Sequence, residues 1–183
     1  IQAAKKKLKV PMHYVLKNDA AHGRGQSAMP FGKARIFQRD GKGGTTFVGE
    51  DWGRFTPRDD EMKLYLGVAR DIVVKRTIER RERKKISGNL YNYDVLLKYE
   101  VENFKDKPVT LDIRERPRQL RAELGFGNRR DVQWELGRDT TLPTGPDPEK
   151  SDADKLLFHV DLAPQGNSGK VQKQTYRLHL VLQ

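Results

Sequence analysis

Apolar and polar residues alternate along most of this chain, most clearly between residues 91 and 102. Six apolar side chains recur there at every second position, and only Leu96 interrupts the pattern. A period of two predicts a β-strand with one buried face. Shorter runs with the same period cover residues 62–66, 72–78, 109–113, 156–162 and 176–182, and further strands are predicted at residues 12–16, 34–39, 45–48 and 132–136.

Turn-forming residues separate these runs, for example Asp40-Gly41 and residues 87–89 and 166–169. Many short strands with almost no helical periodicity predict an all-β fold, an antiparallel β-sandwich. Residues 1–9 are interpreted as a lead-in or linker, and residues 10–183 as a single sandwich domain. Within it, residues 116–155 contain one convincing strand, around Trp134, and are expected to be partly irregular.

The segment over residues 75–85 is strongly basic and continues the alternation of the preceding strand. We expect it to turn at residues 87–89 and to pair with the strand over residues 91–102, forming one long basic hairpin. Because a one-residue slip would turn every side chain to the wrong face, paired positions must have residue numbers with an odd sum, for instance Ile78 opposite Leu97 or Tyr99.

This register distributes the cations between the two faces of the hairpin. It places Arg76, Arg80 and Lys84 along the tyrosine face, where the apolar stems of these side chains would cover the tyrosine rings. On the opposite face, near the acidic residues of the partner strand, it places Lys75, Arg81, Arg83 and Lys85. Beyond Ile78 the hairpin is expected to be an arm that is less buried than its root.

The charge balance adds a second observation. The chain has 36 Lys and Arg against 25 Asp and Glu, a formal net charge of +11, and residues 1–88 hold 21 of the basic and 10 of the acidic residues. Clustered cations attract polyanions. The predicted anion-binding residues are Arg76, Arg80, Arg81, Arg83, Lys84 and Lys85. An acidic polysaccharide is the preferred polyanion and nucleic acid is disfavoured, because no strand with interleaved aromatic and basic residues is recognised.

Catalytic and metal-binding patterns are not found in the sequence. The four histidines, His13, His22, His159 and His179, fit no metal spacing, and no serine lies in a nucleophile elbow. No cysteine is present, and no apolar stretch approaches the roughly 20 residues of a membrane span. We therefore predict a non-enzymatic protein with no catalytic residues, metal, cofactor or membrane span. A hydrolytic site within residues 116–155, or outside this chain, remains an alternative.

A group of short motifs resembles a known family. They are Met-Pro-Phe-Gly-Lys-Ala-Arg-Ile-Phe over residues 29–37, Phe-Val-Gly-Glu-Asp over residues 47–51, Thr56-Pro57, and Leu-Tyr-Leu-Gly over residues 64–67. The pattern is similar to the C-terminal domain of mucoidy-inhibitor-A-like proteins, a bacterial domain of unknown function, although Phe37 stands where that family usually has Tyr. The motif positions without an assigned role are Pro30, Gly49, Glu50, Asp51, Pro57 and Gly67.

The resemblance implies an immunoglobulin-like sandwich at the C-terminus of a larger, often exported bacterial protein, and hence a periplasmic or exported location. It implies no reaction. On the physical properties of its residues the motif is interpreted as scaffold, with Glu50 and Asp51 facing a ligand as the alternative. The function expected is a non-enzymatic interaction or structural module that contacts another domain or protein of the cell envelope. The alternative is binding of an anionic polymer through the basic hairpin.

Overall fold

The computed structural model describes residues 6–127, 132–165, 171 and 173–183. Nine strands lie within these residues: β1 (Lys6–Lys17), β2 (Gly32–Arg39), β3 (Thr45–Gly53), β4 (Glu61–Ser87), β5 (Leu90–Asn103), β6 (Val109–Glu115), β7 (Trp134–Leu136), β8 (Leu156–Leu162) and β9 (Lys173–Leu182). A short helix, α1 (Pro117–Glu123), and a 3-10 turn, Ala20–His22, are the helical elements of the described part.

Three sheets are formed by these strands. One has five strands in the order β1-β4-β5-β9-β7, and the others are the pairs β2-β3 and β6-β8. The ladders β4-β5, β5-β9, β7-β9, β2-β3 and β6-β8 are antiparallel. The predicted all-β antiparallel sandwich is confirmed, because alternating strands bury one face each against a neighbouring layer.

The chain divides into two compact units. The larger comprises residues 1–8 and 71–183, and the smaller comprises residues 9–70. The single domain over residues 10–183 remains a prediction. The first strand begins at Lys6, within the segment interpreted as a lead-in.

In the larger unit, β5 is the central strand of the core. It pairs with β4 on one side and with β9 on the other. Val95, Leu97, Leu178 and Leu180 are completely buried. Leu96, which interrupts the alternation, is also buried. Both faces of β5 are therefore covered, and an apolar residue on the second face is stabilising rather than anomalous.

The register of the β4-β5 hairpin changes at Glu79 and again between Lys85 and Ser87. Ile78 lies opposite Leu97, as predicted, but the next pair is Arg80 with Leu96. A β-bulge places two residues opposite one, so every later side chain on the bulged strand changes face. The prediction that Arg80 and Lys84 lie along the tyrosine face is therefore wrong.

The predicted arm is only partly correct. On β4, residues 81–87 are exposed as expected. On β5, however, Tyr93 and Val95 are buried, and Tyr93 pairs with Leu182 of β9. Because β9 supports β5 as far as Tyr93, the free part of the hairpin is confined to its tip.

In the described parts of residues 116–155, β7 lies inside the strand predicted at residues 132–136. The same parts contain α1, which the sequence pattern did not reveal. Pro117 occupies the first turn of this helix, where its missing N–H costs no hydrogen bond. Leu120 and Leu124, four residues apart, are both buried. The helix is seven residues long, too short to show a clear 3.6-residue period.

In the smaller unit, Asn18 organises the loops around the hairpin of β2 and β3. Its side-chain amide donates to the carbonyls of Ser27, Thr56 and Pro57, at 3.0, 3.2 and 2.9 Å. Its side-chain oxygen accepts from the backbone of Gly25 at 3.0 Å. A buried amide that uses its whole hydrogen-bonding capacity specifies a single loop arrangement.

Candidate functional site

Arg76, the first of the predicted anion-binding residues, lies in a buried ion cluster. Its Nε is 2.8 Å from Glu115 Oε1, and its Nη1 is 3.0 Å from Glu123 Oε1. Tyr99 donates its hydroxyl proton to Glu115. Burial opposes the charged guanidinium, but Glu115 outweighs this effect and the pKa of Arg76 is raised. Arg76 therefore stabilises the larger unit and offers no open charge to a ligand.

Arg80 and Lys84 also pair within the protein. Arg80 Nε is 2.7 Å from Asp94 Oδ1, and Lys84 Nζ is 2.9 Å from Asp94 Oδ2. A second nitrogen of Arg80 lies 2.8 Å from Asp139. Burial alone would raise the pKa of Asp94, but the hydrogen bonds from Lys84 and Arg80 lower it to about 2. The carboxylates of Asp94 and Asp139 therefore compensate much of the positive charge of Arg80 and Lys84.

His179 completes the cluster around Asp94. Its Nε2 is 3.0 Å from Asp94 Oδ1, and its Nδ1 is 3.3 Å from the backbone nitrogen of Asp139. A backbone N–H only donates, so Nδ1 is the acceptor and Nε2 carries the proton given to Asp94. The imidazole is thus held as a structural link between β9, β5 and the chain after β7.

The remaining three cations lie toward the hairpin tip. Arg81 lies over the ring of Phe126 and Arg83 over the ring of Tyr91, at 4.8 and 3.5 Å from the ring centres. Lys85 is exposed. Of the six predicted anion-binding residues, the structure exposes Arg81, Arg83, Lys84 and Lys85 toward the hairpin tip, although Lys84 is also paired with Asp94. Because of the bulge at Glu79, Arg81 and Arg83 lie on the opposite face of the hairpin from the one predicted.

The motif residues of the family resemblance lie in the smaller unit. Pro57 supplies a carbonyl to Asn18, and Gly67 has a positive φ of 111°, which side chains rarely adopt. Asp51 accepts the backbone N–H of Tyr65 at 2.7 Å. The described contacts of these three positions lie within the smaller unit. Pro30 is exposed beside them, and Gly49 lies on the inner side of the hairpin, near Leu66.

Glu50 differs from the other motif residues, because it faces outward. It accepts hydrogen bonds from Lys33 Nζ at 3.0 Å and from Arg35 Nε at 3.4 Å. The bond from Lys33, followed by the charge of Lys33, lowers the pKa of Glu50. The carboxylate therefore lies in the middle of the outer face of β2 and β3, between two cations.

Two aromatic pairs flank this carboxylate. Phe31 and Trp52 stack with ring centres 5.3 Å apart and planes inclined by 9°. Phe37 and Phe47 meet edge to face at 5.5 Å. The four side chains are 66%, 57%, 56% and 53% exposed, in the order named. Isolated exposed rings are ordinary, but four exposed rings along one hairpin indicate an interaction surface.

We call this surface the aromatic–cation face. It consists of Phe31, Lys33, Arg35, Phe37 and Arg39 from the β2 side and Phe47, Glu50 and Trp52 from β3. The inner side of the same hairpin is thin, because glycine occupies positions 49 and 53. A Cβ on Gly53 would lie 2.7 Å from Met62 Sδ. These glycines let the hairpin approach β4 closely and direct its large side chains outward.

Sequence reasoning missed this face, although its main pattern was present. Residues 31–39 alternate strictly between large or charged side chains and smaller ones. On β2, an aromatic residue and basic residues share one side, because Lys33, Arg35, Phe37 and Arg39 recur at every second position.

Other titratable clusters are small. His159 lies between two carboxylates, 2.8 Å from Asp112 and 2.9 Å from Asp147. The described residues contain no group of His, Cys, Asp or Glu arranged to hold a metal ion. In the same part of the chain, no helix is long and apolar enough to cross a membrane.

Comparisons with protein-family models, with curated proteins and with solved structures find no match to this chain. The resemblance to mucoidy-inhibitor-A-like proteins therefore remains a prediction.

Proposed function

We propose that this protein is a non-enzymatic interaction module, and that its contact surface is the aromatic–cation face. The observation that carries the proposal is the set of four half-exposed aromatic side chains around the Lys33–Glu50–Arg35 ion pairs. Aromatic and arginine side chains provide most of the binding energy in macromolecular interfaces, because they bring large contact areas and directed hydrogen bonds.

The arrangement of the titratable groups supports binding rather than catalysis. Three buried titratable groups of the larger unit, Asp94, Glu115 and His179, are each bound to a specific cation or backbone group. A group committed to such partners is poorly placed to exchange protons with a substrate. The hydrolytic alternative within residues 116–155 remains a prediction.

The basic hairpin is the weaker candidate surface. Arg76 is buried, and Arg80 and Lys84 hold Asp94. Only the tip cations remain for a polyanion, and two of them lie over rings. The alternative of anion binding therefore moves from the hairpin to the aromatic–cation face, where the cations lie beside exposed apolar surface.

A panel experiment tests the proposal without assuming the ligand. The full chain is passed over immobilised polysaccharides, single-stranded nucleic acids and charged peptides in biolayer interferometry. The face variant is Phe37→Ser with Trp52→Ser. The matched control is Phe104→Ser, which removes an exposed aromatic residue of the larger unit. We expect at least one ligand class to lose binding in the face variant and to keep it in the control.

The proposal is overturned if every ligand class binds wild type and face variant alike, or if none binds. Circular dichroism and thermal melting of each variant establish that the fold is retained. The four aromatic residues are more than half exposed, so their truncation is expected to cost little stability.

A further inference from the structure

We infer that the ligand of the aromatic–cation face is an acidic polysaccharide, a linear chain of sugar rings that carries carboxylates. This inference rests on the proposed function and specifies the partner of the same surface. It follows from three features of the face, namely its separated apolar platforms, its cations and its central carboxylate.

The apolar platforms lie at the two ends of the face. Lys33 pairs with Trp52, and Phe37 pairs with Phe47, four residues further along β2. At about 3.3 Å per residue, this places the two aromatic pairs about 13 Å apart. A linear ligand with flat, partly apolar units along its length can contact both platforms at once. Sugar rings have such faces, formed by their C–H groups.

The cations lie between and beyond the platforms. Lys33 and Arg35 face the centre, and Arg39 continues the same alternation toward the loop. Arg39 has no ion-pair partner among the described residues. An arginine fork binds a carboxylate with two parallel hydrogen bonds. The face therefore suits a ligand whose carboxylates are spaced along a chain, with Arg39 as its unoccupied anchor.

The central carboxylate distinguishes the ligand class. Glu50 is an acceptor only, since Lys33 and Arg35 hold it in the charged form. A ligand at the centre of this face must therefore bring hydrogen-bond donors as well as negative charge. Sugar hydroxyl groups are donors along the whole polymer. A nucleic-acid strand brings a phosphate at every nucleotide, and the carboxylate at the centre of this face repels such a densely charged backbone.

The first experiment measures contact directly. Trp52 and Trp134 are the only tryptophans, so in the Trp134→Phe chain the fluorescence reports Trp52 alone. We expect polygalacturonate to change this emission, and dextran, which has the same ring type without carboxylates, to change it far less. Raising the salt from 50 to 200 mM should weaken polygalacturonate binding about tenfold, the effect of releasing about two counterions.

The second experiment uses variants of the face in the full chain, with affinity measured by interferometry. Trp52→Ala and Arg39→Gln should each weaken polygalacturonate binding, the first by about tenfold, which corresponds to loss of one aromatic platform. Arg114→Gln, a matched exposed arginine of the larger unit, should have no effect.

Glu50→Gln separates the ligand classes. It removes a negative charge from the face, so binding of a ligand that senses charge alone becomes tighter. Binding of polygalacturonate should instead weaken, because the charged carboxylate that accepts from the sugar hydroxyls is replaced by a neutral amide oxygen, which forms weaker hydrogen bonds. Tighter binding of polygalacturonate by the Glu50→Gln chain overturns the inference.

The remaining outcomes distinguish this inference from the proposed function. If poly-dT or polyglutamate binds the face and polygalacturonate does not, the surface is an interaction site and the polysaccharide assignment is wrong. If every polymer binds the face variant as it binds the wild type, the proposed function and the polysaccharide assignment are both wrong. Binding of dextran as tightly as polygalacturonate contradicts the role assigned to the cations.

Discussion

Gly137 lies directly against the imidazole ring of His179, so that a Cβ at this position would overlap the ring. The backbone N–H of Gly137 donates to the carbonyl of His179 at 2.8 Å. The chain after β7 can therefore cover His179 only because residue 137 has no side chain. This contact closes the outer face of β5 and β9 and holds Asp139 beside Arg80.

Substituting Gly137 by Ala should destabilise the larger unit. The methyl group must displace either the histidine ring or the loop, and overpacking of this kind costs about 1–3 kcal/mol. Urea denaturation measures the change in the free energy of unfolding. Gly145→Ala is the control, because a Cβ there has no neighbour within 4 Å and its φ is not positive. Equal stability of the two variants contradicts the contact.

The stability of the contact between β8 and the loop that carries Asp147 should depend on pH, because His159 makes this contact. Both imidazole nitrogens face carboxylates, so both must donate, which requires the charged ring. The hydrogen bond that His159 donates to Asp147, opposed by partial burial and assisted by Asp112, raises the pKa of His159 above 6.5.

The folded-state pKa of His159 is raised, so its contribution is fully present below pH 6.5 and is lost as the pH rises through the higher folded value. Thermal melting at a series of pH values should show this loss for the wild type and not for His159→Gln. Proteolysis of residues 140–155 should accelerate over the same interval. A wild-type melting curve that runs parallel to that of His159→Gln throughout would contradict the role of the charged ring.

Asp94 should contribute to stability under acidic conditions. Its folded-state pKa of about 2 lies below the ordinary value of 3.8. The contribution is therefore present above pH 3.8 and is lost as the pH falls through about 2. A depression of this size corresponds to about 2 kcal/mol. Denaturation of wild type and Asp94→Asn at several pH values from 5 to 2 measures it, and the two proteins should converge at the acidic end. Asp106→Asn, in an exposed loop, is the control.

Arg76 should prove structural when it is tested as an anion-binding residue. Arg76→Met leaves Glu115 buried beside Tyr99 without its cation, and an uncompensated buried charge costs about 3–5 kcal/mol. Arg76→Met with Glu115→Leu removes both charges and should recover much of this loss. Arg83→Met, which removes an exposed arginine of the same strand, should change the free energy of unfolding by less than about 0.5 kcal/mol. A stable Arg76→Met protein would contradict the buried ion cluster.

Much of the fold could be predicted from alternation alone, because strands with one buried face have a regular pattern. The pairing of Ile78 with Leu97 followed from matching apolar faces. The bulge at Glu79 did not, since an inserted residue leaves no mark in composition or period. Glu79 shows its role only in three dimensions, where it binds Lys98 at 3.1 Å and Arg177 at 2.8 Å.

The candidate site was less accessible to sequence reasoning, for two physical reasons. The basic residues of β4 form a run in the sequence. The carboxylates that pair with them, Asp94, Glu115 and Asp139, lie on other segments of the chain. The aromatic–cation face needs the register of β2 against β3, which shifts between Ile36 and Phe37. Alternation could identify which residues of β2 share a side, but it could not identify Trp52 and Glu50 as their neighbours.

The extra residue at Glu79 takes up one position of β4 without a partner on β5, because Arg80 pairs with Leu96 directly after Ile78 pairs with Leu97. Deleting Glu79 would close the bulge and leave Arg80 and Arg81 opposite their present partners. The deletion would remove the ion pairs of Glu79 with Lys98 and Arg177. Relatives that lack this residue are therefore expected to keep the same order of basic residues after it.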